Sequence, residues 1–132
     1  MFMKMNSVIN NFSVVIPVFN EEEIFLESAN KIFKICQEMN MPFEIIFSEN
    51  GSLDNTKNLI HAFIEDKDNC FTINNNYANY GLALKNGFEI AKNDVVISFD
   101  IDYFSKKFLK QSLELDENYV ALVASKRLNE SE

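Results

Sequence analysis

Long apolar stretches are missing from this 132-residue chain. No apolar run reaches the roughly 18 residues that a bilayer-spanning helix needs. The opening Met1-Phe2-Met3-Lys4-Met5-Asn6 lacks the apolar core and small-residue cleavage site of a secretory signal, so a cytoplasmic location is expected. Cysteine is scarce. Cys36 and Cys70 are the only two; they lack zinc-ligand spacing and read as reduced core residues. Positive charge is short as well. Twelve Lys and Arg against 20 Asp and Glu leave a formal net charge of −8, which would repel a phosphate backbone and argues against a nucleic-acid partner. The single histidine, His61, falls inside a helical pattern and reads as a surface residue. There are no internal repeats and no linker-like segment, so a single domain over 1–132 is expected, with 1–11 as a lead-in.

A core is well supplied. Hydrophobic residues make up 47% of the chain and 13 of them are Phe. They fall into an alternating order. Ser13 to Val18 reads as a strand, with Pro17 near its end. Asn20 offers a helix N-cap with Glu23 as its capping-box partner, and Phe25, Ala29, Ile32, Phe33 and Cys36 follow at helical spacing. Phe43 to Ser48 is a second strand, leading into the turn-rich Glu49-Asn50-Gly51-Ser52-Leu53-Asp54. Leu59, Ile60, Phe63 and Ile64 mark a second helix, and Cys70 to Ile73 a third strand. A polar, Asn-rich loop runs from Asn74 to Tyr80, and a third helix from near Gly81 to Ala91. Val95 to Phe99 is the fourth strand, Lys106 to Leu115 a further helix, and Tyr119 to Ala124 a fifth strand. Strands alternating with helices of this length predict βαβ units, a mostly parallel sheet and right-handed crossovers with helices on both faces.

The strand Val95 to Phe99 runs straight into Asp100-Ile101-Asp102. Ligands of open α/β sheets bind beyond the carboxyl ends of the strands. Two carboxylates placed there repel each other unless a cation intervenes, and their hard oxygens suit Mg²⁺ or Mn²⁺. In a parallel sheet the loops after the first, second and fourth strands meet at one edge. Those loops carry Glu21 and Glu22, Glu49 and Asp54, and Asp100 and Asp102. A blander explanation stands beside each. Glu21 and Glu22 suit the dipole of a first helical turn. Ser52 and Asp54 suit caps of the second helix. Gly81 suits either a tight turn or close approach of backbone to a ligand.

The strings SVVIPVFNEEE, FEIIFSENGSLDNT, NYGLALKNGFEIAKNDVVISFDIDYF and VALVASKR resemble the family 2 glycosyltransferases, most closely the polyprenyl-phosphate mannosyl- and glucosyltransferase branch. The likeness covers nearly the whole chain. It implies the GT-A fold: α/β, a Rossmann-like three-layer α/β/α sandwich with core strand order 3-2-1-4 and the fifth strand beyond. By the same resemblance Pro17, Phe19 and Glu21 contact base and ribose, and Glu49 hydrogen-bonds the nucleobase. Asp100 and Asp102 hold the metal and diphosphate, Gly81 belongs to the nucleotide-facing third loop, and Lys126 lies near the diphosphate or sugar phosphate.

Some positions depart from the family pattern. Glu49 replaces the commoner Asp. Tyr77 and Asn79 replace an Asn and a Gly of the third loop. Phe104 stands where some members carry Gln, and Ala124-Ser125-Lys126 replaces Gly-Ser-Arg. Lys cannot make the bidentate phosphate contact of Arg. Family members continue well past Glu132, and no residue here matches their catalytic base.

The resemblance therefore implies the nucleotide-sugar-binding part of an inverting hexosyltransferase, inactive alone. It would use a UDP- or GDP-sugar with Mg²⁺ or Mn²⁺, and a lipid-phosphate or glycan acceptor. It would sit in the cytoplasm or peripherally at the cytoplasmic face of the membrane, where Lys106, Lys107 and Lys110 could meet anionic headgroups. The rival expectation is a non-catalytic module that binds a nucleotide or a partner protein and self-associates into a homo-oligomer through an apolar edge. Phe104 and Phe108 are candidates for that edge. A phosphoryl-accepting receiver domain would need an acidic pair after its first strand, where this chain has Pro17-Val18-Phe19-Asn20.

Overall fold

A computed structural model describes residues 9–114 and 121–124. Nine elements alternate along them: β1 (Phe12–Val18), α1 (Phe25–Gln37), β2 (Phe43–Glu49), α2 (Thr56–Ile64), β3 (Cys70–Asn74), α3 (Tyr80–Ile90), β4 (Val96–Phe99), α4 (Lys106–Leu113) and β5 (Ala121–Ala124). The strands form one sheet in the order β3-β2-β1-β4-β5, and every pair is parallel. This is the predicted order 3-2-1-4 with the fifth strand outermost, a Rossmann-like α/β sandwich.

The central strand β1 is buried along its whole length, as expected of a strand covered on both faces. Its alternate residues serve different layers. Val14, Ile16 and Val18 join Ile45 and Phe47 of β2 and Ile97 and Phe99 of β4 on one face. Phe25, Ala29, Ile32 and Cys36 of α1, Ile60 and Phe63 of α2, and Leu109 of α4 pack onto that face. Phe25, Phe47 and Phe63 meet edge-to-face, with centroids 5.2 to 6.0 Å apart. Such pairs add about 0.5–1.5 kcal/mol each beyond burial. The other face presents Val15, against which α3 lies so closely that a Cβ on Gly87 would run into Val15 Cγ1. Both cysteines are free and buried; burial pushes the Cys70 thiol up to about 12 and the Cys36 thiol higher still.

Two expectations need correction. Asn20 and Glu23 form no capping box: α1 begins at Phe25, and Ile24 precedes it without a side-chain cap. Asn20 instead has φ +49 and is engaged elsewhere. The crossovers also differ in hand. The steps into β4 and on to β5 run in the same direction, yet α3 lies on one face and α4 on the other, with α1. The cause is the apolar side of α4: Phe108 meets Phe99 edge-to-face and the preceding Phe104 lies tilted against it, and Phe99 faces the α1 layer. Lys106 reaches Glu38 just after α1, at 2.8 Å.

Candidate functional site

Because the strands are parallel, the loops after β1, β2, β3 and β4 emerge at one edge. The first two are stitched together. The Asn20 backbone N–H donates to Ser52 Oγ (2.9 Å), and Asn20 Oδ1 accepts from the Leu53 N–H (2.8 Å). The Glu21 N–H donates to Thr56 Oγ1 (2.8 Å) and the Glu22 N–H to Asp54 Oδ2 (3.2 Å). Glu22 Oε1 in turn accepts from the Asn55 N–H (3.0 Å). Ser52 therefore serves the first loop and not the second helix. Asp54 serves both, since it also accepts from the Thr56 N–H and hydroxyl. Burial pushes its carboxyl up, but those bonds outweigh it and hold Asp54 below the usual range.

Glu49 is the last residue of β2 and is only 2% exposed. Its carboxylate turns back onto its own loop: Oε2 accepts from the Gly51 N–H (3.0 Å) and Oε1 from the Ser52 N–H (2.8 Å). Gly51 has φ +75, and a Cβ there would lie 2.7 Å from the Tyr77 carbonyl carbon, so only glycine fits this approach.

The third loop is joined by amides. Asn50 Oδ1 accepts from Asn75 Nδ2 (3.0 Å) and from the Asn79 N–H (2.7 Å), and Asn86 Nδ2 donates to Asn75 Oδ1 (2.7 Å). Asn79 caps α3 by accepting from the Leu82 N–H. Gly81 is exposed, and an added Cβ would meet nothing closer than Asn79 Oδ1 at 3.7 Å. No tight turn demands glycine there.

In the fourth loop Asp100 bridges to Tyr103 through its carbonyl, and its Oδ1 accepts from the Tyr80 hydroxyl at 3.0 Å. Ile101 is buried, and Asp102 between it and Tyr103 is exposed. The electrostatics tie this loop to the first. Burial pushes the Glu21 carboxyl above its ordinary value, and the negative charges of Asp102, Asp54 and Asp100 push it further. Acids from three separated segments thus share one field.

Glu21 lies within electrostatic reach of Asp54, Asp100 and Asp102, with Phe19 41% exposed two residues before it in sequence and Glu49 beneath its own loop. Pro17 is not on the rim: it is buried within β1, opposite Ser48. Phe104 and Phe108 are partly buried against the core. His61 is exposed, as expected. Lys126 lies outside the described residues. Asn50, Asn75, Thr56 and Tyr80 take part in this edge without a sequence signal of their own, because hydrogen bonds between loops leave no periodic trace; only Asn75 and Tyr80 fall in the Asn-rich stretch 74–80.

Among the described residues no group of three or more His, Cys, Asp or Glu could hold an ion unaided. The donor set still fits a small hard cation. Mg²⁺ keeps several waters and takes one or two carboxylates plus substrate phosphates, and the like-charge repulsion on Glu21 is what a cation would relieve.

Residues 13–130 match the model of glycosyl transferase family 2. The chain belongs to that family. This family 2 chain is 35% identical over 97 residues to an undecaprenyl-phosphate 4-deoxy-4-formamido-L-arabinose transferase of Proteus mirabilis, a match covering 71% of the chain and 29% of the relative. It is 36% identical over 93 residues to the protein of that name in Pseudomonas fluorescens, covering 68% and 27%. With the Shewanella sediminis protein of the same name it shares 33% over 103 residues, covering 76% and 31%. The matched stretch spans under a third of each of these curated relatives. Their names are those of polyprenyl-phosphate sugar transferases, as the sequence resemblance implied. Among the described residues of the family 2 chain, no helix is long and apolar enough to cross a membrane.

Proposed function

We propose that this chain is the donor-binding portion of a glycosyltransferase that takes a sugar from a UDP- or GDP-sugar and delivers it to a polyprenyl phosphate. One observation carries the reading: the parallel sheet delivers Glu21, tied through its N–H to Thr56 Oγ1, and Asp100, held by the Tyr80 hydroxyl, to the same carboxyl edge, where burial and then the charges of Asp102, Asp54 and Asp100 act on the Glu21 carboxyl. Separated acids gathered at that edge are suited to a charged, metal-bound ligand.

In this reading Asp100 and Asp102 hold Mg²⁺ or Mn²⁺ against the diphosphate. When bound, the cation supplies neutralisation of the charge that develops on the leaving nucleoside diphosphate. Tyr80 keeps the Asp100 carboxylate in a fixed orientation through its hydroxyl. Glu21 accepts from ribose hydroxyls, Phe19 offers a ring face to the base, and Gly81 lets the backbone come near the nucleotide. Glu49 acts on the base through the shape of its loop, since both its oxygens already accept backbone N–H groups. Pro17 supports the first loop from within β1, and Lys126 completes the phosphate environment. The relatives' names specify a group derived from arabinose, a pentose, so hexose and pentose donors are both to be tried. Work on a polyprenyl phosphate puts the chain peripherally at the cytoplasmic face of a membrane.

Calorimetry with UDP, GDP and their sugars, with and without Mn²⁺, tests the reading. Binding should require the metal and be lost in Asp102→Asn at unchanged melting temperature. Equal heats with and without metal, or full binding by Asp102→Asn, would overturn it.

A further inference from the structure

We infer that Asn20 is a positioning residue: by clamping the loop after β1 to the loop after β2, it presets the donor-binding rim before any ligand arrives. The inference rests on the donor-site reading for its purpose, but on hydrogen-bond geometry for its substance.

Four hydrogen bonds join the two loops and a fifth joins the first loop to Thr56 at the start of α2; Asn20 supplies two of them, one as donor and one as acceptor. Its φ of +49 is the left-handed conformation that Asn tolerates better than most residues. That conformation turns the backbone so that the Asn20 N–H meets Ser52 Oγ while its side chain reaches the Leu53 N–H. The next residue, Glu21, then donates its N–H to Thr56 Oγ1, at the first position of α2. The direction in which the Glu21 side chain leaves the backbone is set by the residues on either side of this bond. Asn20 itself is exposed. Water competes for its bonds, so each contributes little to global stability, while their number and direction fix one loop on the other. A helix cap would have acted within its own helix; this residue acts across 33 positions of sequence.

The clamp separates two requirements that substitutions can split. Asn20→Gly keeps the left-handed backbone and loses the side-chain acceptor. Asn20→Asp keeps both, since Asp tolerates this conformation and offers the same acceptor. Hydrogen exchange should be read at the Leu53, Glu21 and Asn55 amides, together with affinity for UDP in the presence of Mn²⁺ at 150 mM salt, where long-range charge effects are damped. Asn20→Gly should lose protection at all three amides and bind UDP about three- to tenfold more weakly, the loss expected for one hydrogen bond. Its melting temperature should stay near that of the unchanged chain. Asn20→Asp should restore both protection and affinity. Unchanged exchange at Leu53 in Asn20→Gly, or an Asn20→Asp chain as impaired as Asn20→Gly, would overturn the inference. A chain that binds no nucleotide would defeat the donor-site reading instead, and the exchange results alone would then decide whether the clamp exists.

Discussion

The hydroxyl of Tyr80, the first residue of α3, donates to Asp100 Oδ1 at 3.0 Å, across 20 positions of sequence. It ties α3, the one helix on its face of the sheet among the described residues, to the acidic loop after β4. A carboxylate that accepts such a bond is held in one orientation.

Under the proposed donor-site reading, removing that hydroxyl should act on metal binding more than on the fold. Tyr80→Phe keeps the ring and should weaken Mn²⁺-dependent UDP binding by about tenfold, the scale of losing a support behind a metal ligand. Calorimetric titration of Mn²⁺ at fixed UDP measures it. An affinity equal to that of the unchanged chain would mean that Tyr80 does not orient Asp100.

Glu21 makes stability depend on pH in a direction opposite to most acids. Burial, then the charges of Asp102, Asp54 and Asp100, raise its carboxyl in the folded state. In the unfolded chain this carboxyl titrates at its ordinary value of 4.5. Between that value and the raised one the folded state holds more protons, so this group's contribution falls as pH rises through the window. Glu21→Gln removes the charge and should melt at a higher temperature than the unchanged chain at pH 7. The advantage should vanish below about pH 4, where Glu21 is protonated in both states. Parallel melting curves across pH would count against the shared acidic field.

Gly87 is fixed by packing and not by backbone conformation. Its missing Cβ is what lets α3 lie on Val15, a β-branched residue with no room to turn in the middle of β1. Gly87→Ala should cost about 1–3 kcal/mol, the usual penalty for overfilling a packed core. It should appear as a lower urea midpoint with an unchanged slope. An alanine variant as stable as the parent, with the small gain expected of Ala in a helix, would show that α3 can lift away freely.

The amino-acid sequence by itself determined the layers. The short β-branched run Val14-Val15-Ile16 reads as a buried strand, and the helical spacing from Phe25 to Cys36 as an apolar stripe laid on the sheet, and the structure has both. Parallel strand direction follows from alternation, and with it the edge where Asp100 and Asp102 emerge; the order 3-2-1-4 was implied by the family resemblance and is seen in the sheet. Tertiary structure decided what each polar residue on that edge does. Asn20 looked like a cap because capping motifs are local, yet its partner is Leu53 in another loop. Asp54 looked like a cap and serves two loops, and Asn50, Asn75 and Tyr80 gave no signal beyond composition. Apolar burial is periodic along the chain and so can be read from it. A hydrogen bond between two loops depends on a single pair of atoms meeting in space, and that meeting exists only once the sheet has formed.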